Sequence, residues 1–195
     1  MARLKLLSIE ELAARGVNVD PFRKDFAELP GSVATLGYRP DILAATLQLW
    51  TAVMDGGTLS PQLKYLAGYM ASMAAGCRYC SAHTASNAAR TGGDDAKVAA
   101  VFDYETSPLF DDRERVALRF AMLAGQSPSG VEDADMEALK AYFDAPQIVE
   151  LLAVVAMYGF FNRWNDSLAM PLEATPRGFA ETNLRTHGWE IGAHG

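Results

Sequence analysis

From Ile148 to Phe161 the chain is apolar on nearly every face that a helix would present. A helix of that kind must be surrounded by other elements. Its uncharged core, Leu151 to Phe161, is too short to span a bilayer, so it reads as the buried central helix of a packed domain. The remaining sequence has to supply the helices or strands that cover it.

Helix-opening signals recur along the chain. Ser8-Ile-Glu-Glu11 and Asp144-Ala-Pro-Gln147 have the spacing of capping boxes. Arg39-Pro40-Asp41 and Ser60-Pro61 place a proline in a first turn, where its missing N–H is harmless. Asp111 or Asp112 caps a segment that runs to Leu123. Apolar faces at helical spacing follow: Leu43, Leu47, Trp50 and Met54; Leu63, Leu66, Met70 and Met73; Met136, Leu139 and Phe143. Pro21, Asp55-Gly56-Gly57, Thr91-Gly92-Gly93-Asp94 and Pro128 break them apart. No stretch alternates as a strand would. The expectation is an all-α helical bundle, one domain over 1–168, followed by an extended Gly- and Pro-bearing tail over 169–195. Phe179, Leu184 and Trp189 should pack that tail on the body or on a neighbouring subunit. Segments 60–76 and 111–127 share a cap, a basic residue, an apolar helix and a closing Ala-Gly, the pattern of a duplicated helical hairpin.

Charge narrows the function. Lys and Arg number 17 against 24 Asp and Glu, a net charge of −7. The chain therefore lacks the basic footprint of a nucleic-acid binder, and it is poorly suited to anionic membrane surfaces. Met1-Ala-Arg-Leu-Lys-Leu-Leu7 carries no long apolar run, so no secretory signal is read and a cytoplasmic location is expected. The two cysteines both lie in Cys77-Arg-Tyr-Cys80. In that setting a CxxC points to redox or metal chemistry and away from a disulfide framework.

Two thiols at the start of a helix can close a small disulfide, and the unpaired N–H groups there favour a thiolate. Such a thiolate can reduce a peroxide through a sulfenic acid, which the second thiol resolves. An outside dithiol must then restore the pair. Other readings stand beside this one. Cys77, Cys80 and His83 could ligate zinc if His187 or His194 supplied a fourth group, although no second CxxC or HxxxH exists. Covalent haem would need a histidine where Ser81 stands. The cysteines could also be inert core residues. Tyr69, Met70, Met73 and Tyr79 either line an apolar pocket or fill the core. Asn162-Arg163-Trp164-Asn165-Asp166 reads as a cap at the end of the apolar helix, or as polar groups near the site.

Gly76-Cys77-Arg78-Tyr79-Cys80-Ser81-Ala82-His83, behind Leu63-Lys64-Tyr65-Leu66, resembles the carboxymuconolactone decarboxylase / AhpD-like family. Phe110 to Leu118, Ile148 to Phe161, Asn162 to Asn165 and Gly188-Trp189 are similar to its peroxidase-related branch, so the resemblance covers roughly residues 35–195. It implies an all-α fold, a homo-oligomer from dimer to hexamer and a peroxidase needing no metal or organic cofactor. It also implies that Cys80 attacks and Cys77 resolves, whereas helix-dipole reasoning alone favours Cys77 as the attacker. The family pattern places a Glu twelve residues before the first cysteine and a His four after the second, as a proton relay. Here those positions hold Tyr65 and Thr84. Tyrosine, with pKa about 10, is a poor base at neutral pH, and threonine can only pass a proton along. His83 is the candidate substitute, with Tyr79 beside it.

The expected function is thus a thiol-dependent peroxidase acting on hydroperoxides and recharged by a dithiol or protein reductant. Its rate should be weakened by the missing relay. The alternatives are a carboxymuconolactone decarboxylase-type lyase, which need not rely on a CxxC, and a non-catalytic oligomeric redox sensor.

Overall fold

The structure, a computed structural model, describes residues 2–20, 22, 28–92 and 95–195. The breaks expected at Pro21 and at Gly93-Asp94 fall outside the described residues. The described residues hold helices and no strand. In chain order the α-helices are α1 (Ile9–Ala14), α2 (Gly31–Leu36), α3 (Pro40–Trp50), α4 (Pro61–Ala74), α5 (Arg78–Gly92), α6 (Asp95–Ala99), α7 (Asp112–Ala124), α8 (Asp133–Lys140), α9 (Ala145–Ser167) and α10 (Ala174–Asn183).

The helix starts follow the local chemistry. Ser8, Asp111 and Asp144 each cap a helix, and each donates its own backbone N–H to the side chain of Glu11, Glu114 or Gln147, giving three reciprocal capping boxes. Each such cap contributes on the order of 1 kcal/mol. The Ser60 hydroxyl accepts the Leu63 N–H at the start of α4. Beyond α3 the backbone relaxes into a π-helical turn, Thr51–Asp55. Its carbonyls at Val53 and Met54, and that of Gly56 just beyond it, receive the ammonium of Lys64, which is buried and paired with Glu150 at 2.7 Å. Glu150 also accepts the N–H groups of Thr58 and Leu59. One ion pair therefore ties α4, α9 and the turn between α3 and α4.

The core lies where α4 packs on α5, α7 and α9, with Leu66, Met70, Leu118, Leu151 and Val154 fully buried. α4 and α7 approach so closely that a Cβ built on Gly125 would lie 2.7 Å from the Ala71 Cα. α9 corrects one expectation. It does not end at Phe161 but continues to Ser167, and it is not buried all round. Val149 is 67% exposed, and Leu152 and Phe160 are also open to solvent. Among the described residues α9 alone is long and apolar enough to cross a bilayer, yet its Leu151, Val154, Val155 and Met157 face packs in the core.

The C-terminal segment also differs from the extended tail expected of its glycines and prolines. It forms α10 and two short 3-10 turns, and it buries Met170, Ala180, Leu184 and Trp189. The Trp189 indole N–H donates to the Arg78 carbonyl at 3.1 Å. His194 bridges the Met170 carbonyl and Asp166 Oδ1. α10 lies against α5, the helix that carries the cysteines.

Candidate active site

Gly76, with φ +76°, turns the chain between α4 and α5 in a conformation that L side chains rarely adopt. The turn places Cys77 at the N-terminal edge of α5, where its N–H donates to the Ser72 carbonyl and its sulfur accepts the Cys80 N–H at 3.3 Å. Both cysteines are free thiols. They are 0% and 3% exposed and hydrogen-bonded to each other.

Two effects compete at Cys77. The Cys80 N–H favours its thiolate, as expected at a helix start. The hydrogen bond to the Cys80 side chain, burial and the charge on Cys80 work the other way and prevail, pushing the Cys77 thiol far up. The Cys80 sulfur accepts a hydrogen bond from Asn165 Nδ2 at 3.3 Å.

The residues at the two relay positions take no part in this. Thr84 is fully buried, and its hydroxyl bonds back to the carbonyls of Cys80 and Ser81. Tyr65 packs against the core, where burial raises its phenol pKa further from use as a base. Tyr69 and Met70 are core residues.

His83 has a partner that the sequence did not suggest. Its Nε2 lies 2.7 Å from Glu173 Oε2, and the other carboxylate oxygen accepts the Tyr79 hydroxyl at 2.8 Å and the Gly31 N–H at 2.7 Å. The Tyr79 and His83 rings lie against each other, with centroids 4.5 Å apart and planes tilted by 37°. Burial disfavours the charge on Glu173, but the bonds from His83 and Tyr79 outweigh it and hold the carboxyl below the usual range. A carboxylate–imidazole pair thus exists, with its carboxylate supplied from the start of α10. The one available signal was a single acid, Glu173, in the otherwise acid-free stretch Met170–Ala180.

Asn165 lies in the segment that reads either as a helix cap or as polar groups near the site. α9 continues past it, and both Asn162 and Asn165 are 2% exposed within the helix. Among the described residues no three His, Cys, Asp or Glu side chains converge as metal ligands. His187 stacks on Phe102, and His194 is engaged with Asp166.

An all-α body with a reduced CxxC at a helix start defines a dithiol protein of AhpD-like fold. Residues 40–122 match the model of the carboxymuconolactone decarboxylase family. The uncharacterised protein YnjA of Escherichia coli K12 is 33% identical over 119 residues, which are 61% of this chain and 65% of YnjA. The crystal structure of the debrominase Bmp8 superposes with TM-score 0.83 at 29% identity, covering 90% of this chain and 95% of Bmp8. A Cys→Ala variant of Bmp8, solved with 2,3,4-tribromopyrrole, matches with the same TM-score. A peroxidase-related protein from Ralstonia eutropha JMP134, with an AhpD core, matches with TM-score 0.77 at 21% identity over 92% of this chain and 95% of its own. At that identity the likeness speaks to the fold alone.

Proposed function

We propose that this protein is a dithiol oxidoreductase that reduces a small electrophilic substrate, with hydroperoxides as the first substrate class. The observation that carries the reading is the placing of two free thiols at the start of α5, with the Cys80 N–H donating to the Cys77 sulfur and the Asn165 amide donating to the Cys80 sulfur. Cys80, as thiolate, attacks the terminal peroxide oxygen. The O–O bond breaks, the alkoxide leaves as alcohol after taking a proton, and Cys80 becomes a sulfenic acid. The Cys77 sulfur then attacks Cys80, an S–S bond forms, and hydroxide departs with the Cys77 proton as water. An external dithiol or protein reductant returns two electrons and two protons. His83, backed by Glu173, is the group offered for the alcohol's proton.

The likeness to Bmp8 favours a second substrate class, a brominated aromatic ring. The same thiols suffice for it. Cys80 takes the bromine, the carbon keeps the bonding pair and accepts a proton, and Cys77 displaces bromide as the disulfide forms. A lyase of the decarboxylase kind leaves the dithiol without a role. A redox switch would form the disulfide without turnover. Apolar side chains left open on α9, Val149, Leu152 and Phe160, support self-association.

The test is turnover under excess dithiol with an alkyl hydroperoxide and, separately, a bromopyrrole. Measurements on the native protein, Cys80→Ser and Cys77→Ser should show consumption of one substrate, abolished by Cys80→Ser. Cys77→Ser should complete one round and stall. No turnover of either substrate sinks the reading. Activity that survives Cys80→Ser but not Cys77→Ser reverses the roles of the thiols.

A further inference from the structure

The two thiols are almost sealed from solvent, so a substrate needs a way in. A groove of about 260 Å³ opens between α4, α7 and α9. Its walls are mostly apolar and include Ala71, Gly125, Leu152, Ala156 and Phe160, with Arg163 the one charged residue among them. Asn162 also lines it, although that residue is 2% exposed. Both polar atoms of the Asn162 amide are buried without a hydrogen-bond partner among the described residues. The same is true of Asn165 Oδ1 and of Ser72 Oγ, next to the groove residue Ala71.

Buried polar groups nearly always have partners, because leaving one unmade costs the full desolvation of that group. Four such atoms are spread from the groove to Asn165, which bonds the Cys80 sulfur, and Ser72, which bonds the Cys77 backbone. Asn162 and Asn165 are three residues apart on one helix, about 4.5 Å along its axis, and so share a face. Asn165 already reaches the Cys80 sulfur with Nδ2, which leaves its Oδ1 free to accept. Ser72 gives its carbonyl to the Cys77 N–H.

We infer that this groove is the access route to Cys80 and that Asn162 and Asn165 seat the substrate beside the thiol. The inference rests on the proposed role of Cys80 as attacking thiol and adds the ligand chemistry. The ligand is a small, largely apolar molecule that carries a hydrogen-bond donor next to its electrophilic atom. The donor meets an asparagine Oδ1, and an acceptor on the same molecule takes the Asn162 amide N–H. A hydroperoxide O–O–H supplies both, and a halogenated ring bearing N–H supplies the donor. A saturated halide without a polar hydrogen does not.

The test uses a probe that needs no turnover. Iodoacetamide carries both amide donor and acceptor next to an electrophilic carbon. Its reaction forms an S–C bond to the thiolate and releases iodide. Methyl iodide performs the same displacement without the amide. Alkylation at Cys80 is followed by mass spectrometry in the native protein, Asn162→Leu and Ala156→Trp. Asn162→Leu should slow iodoacetamide about tenfold, the scale of a lost hydrogen bond in a dry site, and leave methyl iodide nearly unchanged. Its melting temperature should not fall, because an unpartnered buried amide has been replaced by an apolar group of similar shape. Ala156→Trp, a change on the groove wall, should slow both reagents. Equal loss with both reagents in Asn162→Leu would overturn the seat, and an unchanged rate in Ala156→Trp would overturn the route. A change in oligomeric mass in Ala156→Trp with unchanged alkylation would assign the groove to a second copy of the chain and overturn the proposal. Failure of hydroperoxide and bromopyrrole turnover in the native protein would remove the proposed function while leaving these alkylation rates to stand or fall by themselves.

Discussion

Glu173 and His83 are 90 residues apart in sequence and 2.7 Å apart at Oε2 and Nε2. The contact is made because α10 folds back along α5. Burial of Trp189 and Leu184 holds the segment there. The carboxylate that orients His83 thus belongs to the C-terminal segment, while the thiols belong to the central hairpin.

Glu173→Gln keeps the side chain's shape and removes its charge. Turnover of whichever substrate the dithiol reduces should fall by about a hundredfold, the low end of what acid–base groups contribute. Cys80 alkylation by iodoacetamide should change little, because the Asn165 bond to Cys80 is untouched. Glu173→Asp should recover part of the loss. Equal turnover in Glu173→Gln and native protein would remove the pair from the chemistry.

Local signals were legible in the sequence and distant ones were not. Ser8, Asp111 and Asp144 could be read as caps because the cap and its partner lie three residues apart. Cys77 and Cys80 could be read as a pair for the same reason. Glu173 could not be assigned to His83, because nothing local marks an acid as the partner of a residue on another helix. Asn162 and Asn165 look like the polar end of an apolar run, and only the packing of α9 shows that they face inward. The opposite error occurred at Val149 and Phe160, where apolar character suggested burial and the helix lies open.

Gly125 marks the tightest approach between α4 and α7. Its backbone conformation is ordinary for a helix end, so the glycine is needed for space and not for φ. A methyl group there would meet the Ala71 backbone at 2.7 Å, and backbone cannot swing aside. Gly125→Ala should destabilise the fold by about 1–3 kcal/mol, the usual cost of overpacking. Urea unfolding would show it as a lower midpoint with unchanged slope. A native-like midpoint would mean that α4 and α7 can separate freely.

Lys64 satisfies the carbonyls of Val53, Met54 and Gly56 and neutralises Glu150. Lys64→Met fills the same volume and strips all of these partners at once. Removing one member of a buried pair costs about 3–5 kcal/mol. The lower figure applies here, because the Glu150 side chain is 11% exposed and solvent can reach it. Glu150→Gln on the Lys64→Met background should recover part of the loss, since it removes the uncompensated charge and retains an acceptor for Thr58 and Leu59. If the double variant is less stable than the single, the charge on Glu150 is not what the loss reflects.

The acid dependence of stability should single out Glu173. Its carboxyl is held below the ordinary glutamate value by His83 and Tyr79, against the opposing effect of burial. A group with a depressed folded pKa binds fewer protons folded than unfolded over the interval between the two values. Its contribution is therefore complete above the unfolded pKa of about 4.3 and is lost as pH falls through the lower folded value. Glu150 is depressed as well, through Lys64 and the Thr58 and Leu59 N–H groups, but it is common to native protein and Glu173→Gln and cancels between them. The stability gap between the two proteins should be widest near neutral pH and close progressively in acid below the glutamate range. Urea midpoints across that interval measure it. A gap that widens toward acid would mean that Glu173 is protonated in the fold, and His83 would then face a neutral acid in place of a carboxylate.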